Sequence, residues 1–219
     1  MKQQEGWMPF RNHQTYYRIV GDLKDPILLC LHGGPGSTHQ YFEVLDELAN
    51  QGLCLIMYDQ LGCGKSYVEN QPSWWTMETW LEELDALVHN LKLQEFHLLG
   101  QSFGGMLAIE YYLRYSPRQV KSLILSSTLS SASLWAKEQH RWIKMMDQKD
   151  QFAIAEAEKT GNFLHPNYLL ANERFMQAHC GSFSDHDYPC LKVPYQKGSE
   201  SYLIAWGPNE YGEGFSGSS

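Results

Sequence analysis

The length, composition and charge of the chain limit what kind of protein it can be. Its 219 residues are enough for one α/β domain with an insertion, and 43% hydrophobic residues are typical of a globular protein. A formal net charge of -8 argues against binding to nucleic acid or to an anionic membrane, because both need concentrated lysine and arginine. We find no apolar leader and no uncharged run long enough to cross a bilayer, so the sequence predicts a cytoplasmic protein without a membrane span.

The cysteines indicate neither disulfides nor a metal site. They are five in number and scattered, so reduced thiols are expected. Histidine and cysteine cluster only late in the chain, at His179, Cys180, His186 and Cys190. Their spacing matches no common zinc site. The sequence therefore predicts no metal ion and no cofactor.

Apolar periodicity predicts strands that alternate with helices over residues 1–127. Segments 7–10 and 14–20 are expected to form an antiparallel hairpin. Strands are then predicted at 26–31, 53–58, 96–99 and 120–126, and helices at 39–50, 74–91 and 106–115. This alternation is typical of an α/β fold with a doubly wound, mostly parallel sheet.

From about residue 128 the pattern is purely helical. Segments 130–149, 151–160 and 167–178 have helical periodicity with no comparable strand between them. We therefore predict a core at 1–127, a helical cap at 128–211 and a low-complexity tail at 212–219. Most aromatic and methionine side chains of the cap are expected to pack within it, namely Trp135, Trp142, Met145, Met146, Phe152, Phe163, Phe175 and Met176.

A possible nucleophile lies in the sequence GQSFGG, residues 100–105. G-x-S-x-G between a strand and a helix is the nucleophile elbow of α/β-hydrolases, in which a strained turn exposes the serine Oγ. The glycines remove side chains where strand and helix approach each other, and the helix N-terminus favours negative charge. Ser102 is therefore the candidate nucleophile. Epoxide hydrolases and dehalogenases are disfavoured, because they use aspartate at this position.

The sequence HGGPG, residues 32–36, follows the first buried strand directly. Acyl transfer needs backbone N–H groups aimed at the oxyanion, one from a loop after an early strand and one from the residue after the nucleophile. In this chain the backbone N–H groups of Gly34 and Phe103 are expected to serve as these donors. His32 and Gly33 are expected to support them.

The sequence DQLGCGKS, residues 59–66, imitates the end of a phosphate-binding loop. The required first glycine would fall at position 59, which is Asp59, so we reject an NTPase. Asp59 and Gln60 are instead expected to brace the oxyanion loop or the elbow.

Together, HGGPG, DQLGCG and GQSFGG resemble the prolyl aminopeptidase (proline iminopeptidase) family of α/β-hydrolases. The likeness runs from about Gly6 to Tyr211 and includes WGPNE at 206–210. DQLGCG, with Leu61 where many members carry arginine, resembles the lactic-acid-bacterial branch. The resemblance implies a serine aminopeptidase that releases N-terminal proline, or another N-terminal residue, from short peptides. It also implies that Glu210 binds the free α-amine of the substrate.

The aspartate and histidine of a catalytic triad are not visible in this chain. In the order expected for this fold, both follow the serine. The acids and histidines after Ser102 all lie in the predicted cap, outside any strand-end loop: Asp147, Asp150, Asp185, Asp187, His140, His165, His179 and His186. In the family both triad residues come from strands beyond the cap, so the sequence is expected to be a shortened member. Two consequences are an exposed apolar edge at 120–126 and activity at least about a thousandfold below that of an intact triad.

Two other functions stay open from the sequence. One is an esterase or other acyl hydrolase with the same core, and the other is a non-catalytic fragment or binding protein. The expected partner is a small peptide with a free N-terminus, and the oligomeric state is left open.

Overall fold

The computed structural model describes residues 2–180, 188–212 and 214, and the chain divides into two compact units. The first unit comprises Met1–Ser130 with Tyr188–Ala205, and the second comprises Ser131–Asp187 with Trp206–Ser219. The first boundary between the units, after Ser130, falls close to the predicted end of the core at residue 127. Tyr188–Ala205 differs from the prediction, because this segment groups with the first unit.

One mixed sheet organises the first unit. Its strands are β1 (Gln3–Phe10), β2 (His13–Val20), β3 (Ile27–Leu31), β4 (Cys54–Tyr58), β5 (Phe96–Gln101) and β6 (Val120–Ser126). The spatial order is β1-β2-β4-β3-β5-β6. Pairing is antiparallel between β1 and β2 and between β2 and β4, and parallel across the remaining strands. The predicted hairpin and the predicted mostly parallel α/β sheet are both confirmed.

The centre of the sheet is fully apolar. Every residue of β3 and β4 is buried, as expected for parallel strands covered on both faces. A 3₁₀ helix, His39–Gln51, covers one face, where Phe42 packs with Leu28 and Met57. Gly52, at φ +83°, ends this helix in the left-handed conformation that favours glycine.

The two longer α-helices of the same unit are α1 (Met77–Asn90) and α2 (Phe103–Tyr115). The hydroxyl of Thr76 caps α1 by accepting a hydrogen bond from the Thr79 N–H at 3.3 Å. Helix α2 starts immediately after Ser102 and contacts β3, β5 and β6. Shorter elements are the 3₁₀ helices Gly64–Ser66, Pro72–Trp74 and Pro189–Lys192, and α6 (Ser199–Ala205).

Strand β6 forms one edge of the sheet, and its apolar side chains are exposed. Ile124 and Leu125 are 46% and 47% exposed. The predicted exposed apolar edge is therefore present. No strand follows β6 among the residues that the structure describes.

The described residues of the second unit form three helices, α3 (Ala132–Ile143), α4 (Gln148–Thr160) and α5 (Pro166–His179). Its core consists of Ile143, Ile154, Ala157, Tyr168, Ala171, Phe175 and Tyr211. The prediction of one helix over 130–149 is wrong. Asp147 has an extended backbone with ψ 143°, which separates α3 from α4. In the described part of the chain, no helix is both long enough and apolar enough to cross a membrane.

The predicted packing of cap side chains is correct only in part. Phe175 is buried, and Met146 and Phe163 pack against the core of the second unit. Four of the predicted side chains are instead exposed: Trp142, Met145, Phe152 and Met176. Within this unit, three short helices can bury only the side chains that face one another, and these four lie on the outer faces.

Candidate active site

Ser102 connects β5 directly to α2 in a strained conformation. Its backbone has φ +52° and ψ -121°, which a non-glycine residue rarely adopts and which costs about 1–3 kcal/mol. Two hydrogen bonds hold it: the Ser102 N–H donates to the Ser126 carbonyl at 3.0 Å, and the Thr128 hydroxyl donates to the Ser102 carbonyl at 2.6 Å. A strained serine fixed between a strand and a helix has the geometry of a nucleophile elbow.

The glycines around Ser102 are required because backbones approach closely there. A Cβ at Gly100 would lie 2.5 Å from Gly105 Cα, and a Cβ at Gly104 would collide with the carbonyl oxygen of Leu31. Helix α2 can therefore lie directly against β3 only if these positions lack side chains. As a result α2 begins at Phe103, three residues before the predicted start, and the Phe103 N–H lies at the N-terminus of the helix.

The loop after β3 lies beside this elbow. An ideal Cβ on Gly33 would lie 3.1 Å from Ser102 Cβ and 2.5 Å from Gln101 Oε1. Gly34 has φ +120°, a conformation that favours glycine. The loop closes on itself through a 3.3 Å hydrogen bond from the Ser37 N–H to the Gly33 carbonyl. Ser102 and this loop are thus direct neighbours.

His32 is fully buried and fixed at both ring nitrogens. Its Nδ1 lies 2.8 Å from the Gly33 carbonyl oxygen, and its Nε2 accepts a 3.0 Å hydrogen bond from the Gln60 backbone N–H. The Gln60 side chain donates to the His32 carbonyl at 2.8 Å. Burial lowers the pKa of His32 to about 4, so the ring is neutral near pH 7. This histidine holds two loops together and is not placed as a base for Ser102.

Asp59 connects the end of β4 to the start of the 3₁₀ helix. One carboxylate oxygen accepts hydrogen bonds from the His39 N–H at 2.9 Å and from His39 Nδ1 at 2.6 Å, and the other accepts from the Lys65 N–H at 2.8 Å. Burial disfavours the charged forms of both His39 and Asp59. The hydrogen bonds of His39 to Asp59 and Glu43 outweigh this effect and raise the pKa of His39 to about 9. The same pair lowers the pKa of Asp59 against the effect of burial.

Glu83 is a buried carboxyl group that sequence reasoning missed. It accepts a 2.9 Å hydrogen bond from the Leu61 N–H and forms a very short contact with the Thr15 hydroxyl. Burial raises the pKa of Glu83 to about 8, so this group is mostly protonated at neutral pH. The available signal was its position on the apolar face of α1, between Trp80 and Leu87 at helical spacing.

The segment around Gly198 also escaped the sequence analysis. The Gly198 N–H donates to the Gly36 carbonyl at 2.9 Å, and the Gly64 N–H donates to the Gln196 carbonyl at 2.8 Å. A Cβ on Gly36 would collide with the Gly198 carbonyl oxygen. Residues 196–198 therefore contact both the HGGPG and the DQLGCG loops. No sequence signal predicted this pairing, because its backbone hydrogen bonds join residues far apart in the chain, Gly36 with Gly198 and Gly64 with Gln196.

Glu210 lies in the second unit, in a segment with two strong anchors. The Tyr211 ring is buried in the core of this unit, and its hydroxyl donates to Asn172 Oδ1 at 2.7 Å. Asn209 donates to Glu158 at 3.0 Å. Gly207 has φ +103°, so the turn that leads to Glu210 needs a glycine. The neighbours of Glu210 thus hold its backbone in place.

The described histidines and acids after Ser102 have other partners. His140 lies 2.9 Å from Glu158, and Asp150 accepts from Arg174 at 2.6 Å. His165 caps α5 by accepting from the Asn167 N–H at 3.2 Å. Across residues 2–180, 188–212 and 214, no histidine forms a hydrogen bond with Ser102 and no three metal-ligating side chains cluster. Asp185, His186 and Asp187 lie outside the described residues, as does most of the predicted tail.

Comparison with known proteins agrees with this geometry. Residues 26–178 match the family described as the alpha/beta hydrolase fold. The proline iminopeptidase of Clostridioides difficile (strain 630) is 53% identical over 215 residues, which is 96% of this chain and 73% of that protein. The proline iminopeptidase of Levilactobacillus brevis is 55% identical over 212 residues, which is 95% of this chain and 71% of that protein.

The chain belongs to the proline iminopeptidase family of α/β-hydrolases. A solved relative, the proline iminopeptidase of Mycobacterium smegmatis, superposes with a TM-score of 0.78 at 28% identity, and the match covers 98% of this chain and 74% of that one. The family resemblance read from the motifs is therefore confirmed, and the chain is a hydrolase by family. The roles of Ser102, Gly34, Phe103, Glu210, His32, Gly33, Asp59 and Gln60 stay predictions.

Proposed function

We propose that this proline iminopeptidase family member is a serine aminopeptidase that acts through an acyl-enzyme. Ser102 Oγ attacks the carbonyl carbon of the N-terminal residue, while the Gly34 and Phe103 N–H groups hold the oxyanion. The intermediate collapses with cleavage of the peptide bond, and the proton lost by Ser102 Oγ goes to the nitrogen of the leaving peptide. Water then attacks the acyl-enzyme, returns a proton to Ser102 Oγ and releases the N-terminal residue, preferably proline.

The backbone of Ser102 is the observation that carries this proposal. A serine kept at φ +52° is maintained only when its surroundings enforce it, as the Ser126 and Thr128 hydrogen bonds do here. Such strain is typical of functional sites. The adjacent glycine loop supports the same interpretation, because Gly34 and the N-terminus of α2 offer N–H groups beside Ser102.

Glu210 gives the proposal its exopeptidase character. A carboxylate stabilises the cationic α-amine of a free N-terminus and does not bind a blocked one. The anchors at Asn209 and Tyr211 support this role, because they restrict the backbone from which Glu210 extends. The general base and its acid are not assigned within the described residues. By family resemblance they would follow the cap, and the match covers only 71–73% of the curated relatives named above.

A direct test measures turnover and labelling together. We expect a fluorophosphonate to label the chain but not Ser102→Ala, and proline β-naphthylamide to be preferred over p-nitrophenyl esters. The opposite preference would support the esterase alternative. Absence of both labelling and turnover would support the non-catalytic alternative.

A second variant separates amine recognition from chemistry. We expect Glu210→Gln to raise KM for proline β-naphthylamide about tenfold or more, because it removes the charge that pairs with the amine. Hydrolysis of an ester without an amine should change less than twofold. Equal losses on both substrates would contradict the role of Glu210.

A further inference from the structure

The hydroxyl group of Tyr41 lies between the oxyanion loop and the elbow. It accepts a 2.7 Å hydrogen bond from the Gly33 N–H and donates a 2.9 Å hydrogen bond to Gln101 Oε1. Gln101 is the last residue of β5 and immediately precedes Ser102. One side chain therefore joins the two segments that hold the proposed oxyanion donors.

The position of Tyr41 is itself fixed from both sides. It lies two residues after His39, whose backbone and ring are both bonded to Asp59. Its ring packs against Phe42 at a centroid separation of 4.5 Å. Burial raises the pKa of the Tyr41 phenol, so the hydroxyl keeps the proton that it donates to Gln101.

The peptide groups on either side of Gly33 are both held by hydrogen bonds, which fixes the direction of the Gly34 N–H. The Gly33 carbonyl oxygen is bonded to His32 Nδ1 and to the Ser37 N–H, at 2.8 and 3.3 Å. Because a trans peptide is planar and its N–H points away from its C=O, these bonds fix the direction of the Gly34 N–H. Tyr41 fixes the preceding peptide through the Gly33 N–H. Two consecutive peptide planes are thus held beside Ser102.

We propose that Tyr41 is a positioning residue, which sets the separation between the Gly34 N–H and Ser102 through Gly33 and Gln101. This proposal rests on the proposed function, in which Gly34 binds the oxyanion. Catalytic groups lose rate steeply when they are displaced by a fraction of an ångström, so a single hydroxyl at this junction affects the reaction without touching the substrate.

Tyr41→Phe tests the proposal, with Tyr112→Phe as its matched control. Tyr112 is exposed on α2, and no hydrogen bond to its hydroxyl is found in the described part of the chain. The first readout is amide exchange at Gly33 by NMR. We expect exchange at Gly33 to become about tenfold faster in Tyr41→Phe, because the Gly33 N–H loses its acceptor, and to stay within twofold of the parent in Tyr112→Phe.

The second readout is reactivity of Ser102. In Tyr41→Phe we expect kcat for proline β-naphthylamide and the rate constant for fluorophosphonate labelling to fall about tenfold, with KM within twofold. Gln101→Leu removes the other end of the same connection. The double variant should therefore lose no more than the worse single variant.

The outcomes distinguish this proposal from the proposed function. Unchanged exchange at Gly33 overturns the positioning role, as does faster exchange with unchanged kcat and labelling. If the parent chain itself is neither labelled nor active, the proposed function fails, and exchange alone decides whether Tyr41 anchors the loop. If Tyr41→Phe does not fold, Gln101→Leu provides the same comparison from the elbow side.

Discussion

The two units of the chain keep their structure in different ways. In the first unit, backbones touch through glycines, and buried ionisable groups such as His32, Asp59 and Glu83 join loops that are distant in sequence. In the second unit, a small apolar core holds three helices together. Substitutions around Ser102 in the first unit should therefore disturb the fold strongly. In the second unit, stability should depend mainly on its few buried side chains.

The largest difference in stability between the two units is expected when a glycine in each is replaced by alanine. Gly104→Ala should reduce the free energy of unfolding by more than about 4 kcal/mol or prevent folding, because its Cβ would collide with the Leu31 carbonyl. Gly161→Ala in the second unit should cost only about 1 kcal/mol, since nothing lies within 4 Å and only φ +72° is unfavourable. Urea unfolding followed by circular dichroism measures both. Similar losses in the two variants would contradict the comparison.

A phenylalanine pair tests how much the second unit depends on its core. Phe175 is 3% exposed and Phe152 is 72% exposed. We expect Phe175→Ala to cost about 3–5 kcal/mol and Phe152→Ala to stay within about 0.5 kcal/mol of the parent. Thermal and urea unfolding give both values. A large loss in Phe152→Ala would show that its exposed ring is more important than the structure indicates.

Glu83 gives the first unit a dependence on pH. Its pKa is about 8 in the folded chain, whereas the ordinary value of 4.5 applies to the unfolded chain. Between these two pH values the folded chain therefore binds more protons than the unfolded chain. Stability should therefore fall as the pH rises from about 5 to 8, by on the order of 3–4 kcal/mol. Glu83→Gln keeps an acceptor for the Leu61 N–H and should remove this part of the fall.

The measurement is urea unfolding at several pH values for the parent and for Glu83→Gln. His39 contributes in the same direction in both proteins. Its raised pKa gives stability that is complete below 6.5 and is lost as the pH rises through about 9. The difference between the two proteins therefore isolates Glu83. Parallel pH profiles would show that Glu83 does not titrate in this range.

The smallest effect on stability is expected at the exposed edge of the sheet. Replacing Ile124 and Leu125 by lysine should leave the free energy of unfolding within about 0.5 kcal/mol, because both side chains are about half exposed. Self-association in sedimentation experiments should decrease, since charges on an edge strand oppose pairing with another chain. Leu23→Lys combined with Leu113→Lys adds the same charge at two exposed positions outside the strands. An equal decrease in this control would attribute the effect to charge alone.

Much of the fold followed from local patterns in the sequence. The buried strands β3 and β4 and the hairpin were predicted because continuous or alternating apolar runs have few other solutions. The helix expected over 130–149 was wrong, because apolar periodicity did not reveal the extended residue Asp147. The cap boundary differed at Tyr188–Ala205 because backbone hydrogen bonds, which leave no trace in residue type, join it to Gly36 and Gly64.

By itself, the sequence determined the order of the strands, the candidate nucleophile Ser102 and the loop that contains Gly34, because these features depend on residue type and spacing. Only the tertiary structure decided that Ser102 is strained, that His32 is neutral and enclosed, and that Tyr41 joins Gly33 to Gln101. These properties arise where residues far apart in the chain meet and exclude water. Burial and long-range hydrogen bonds, rather than local propensity, set them.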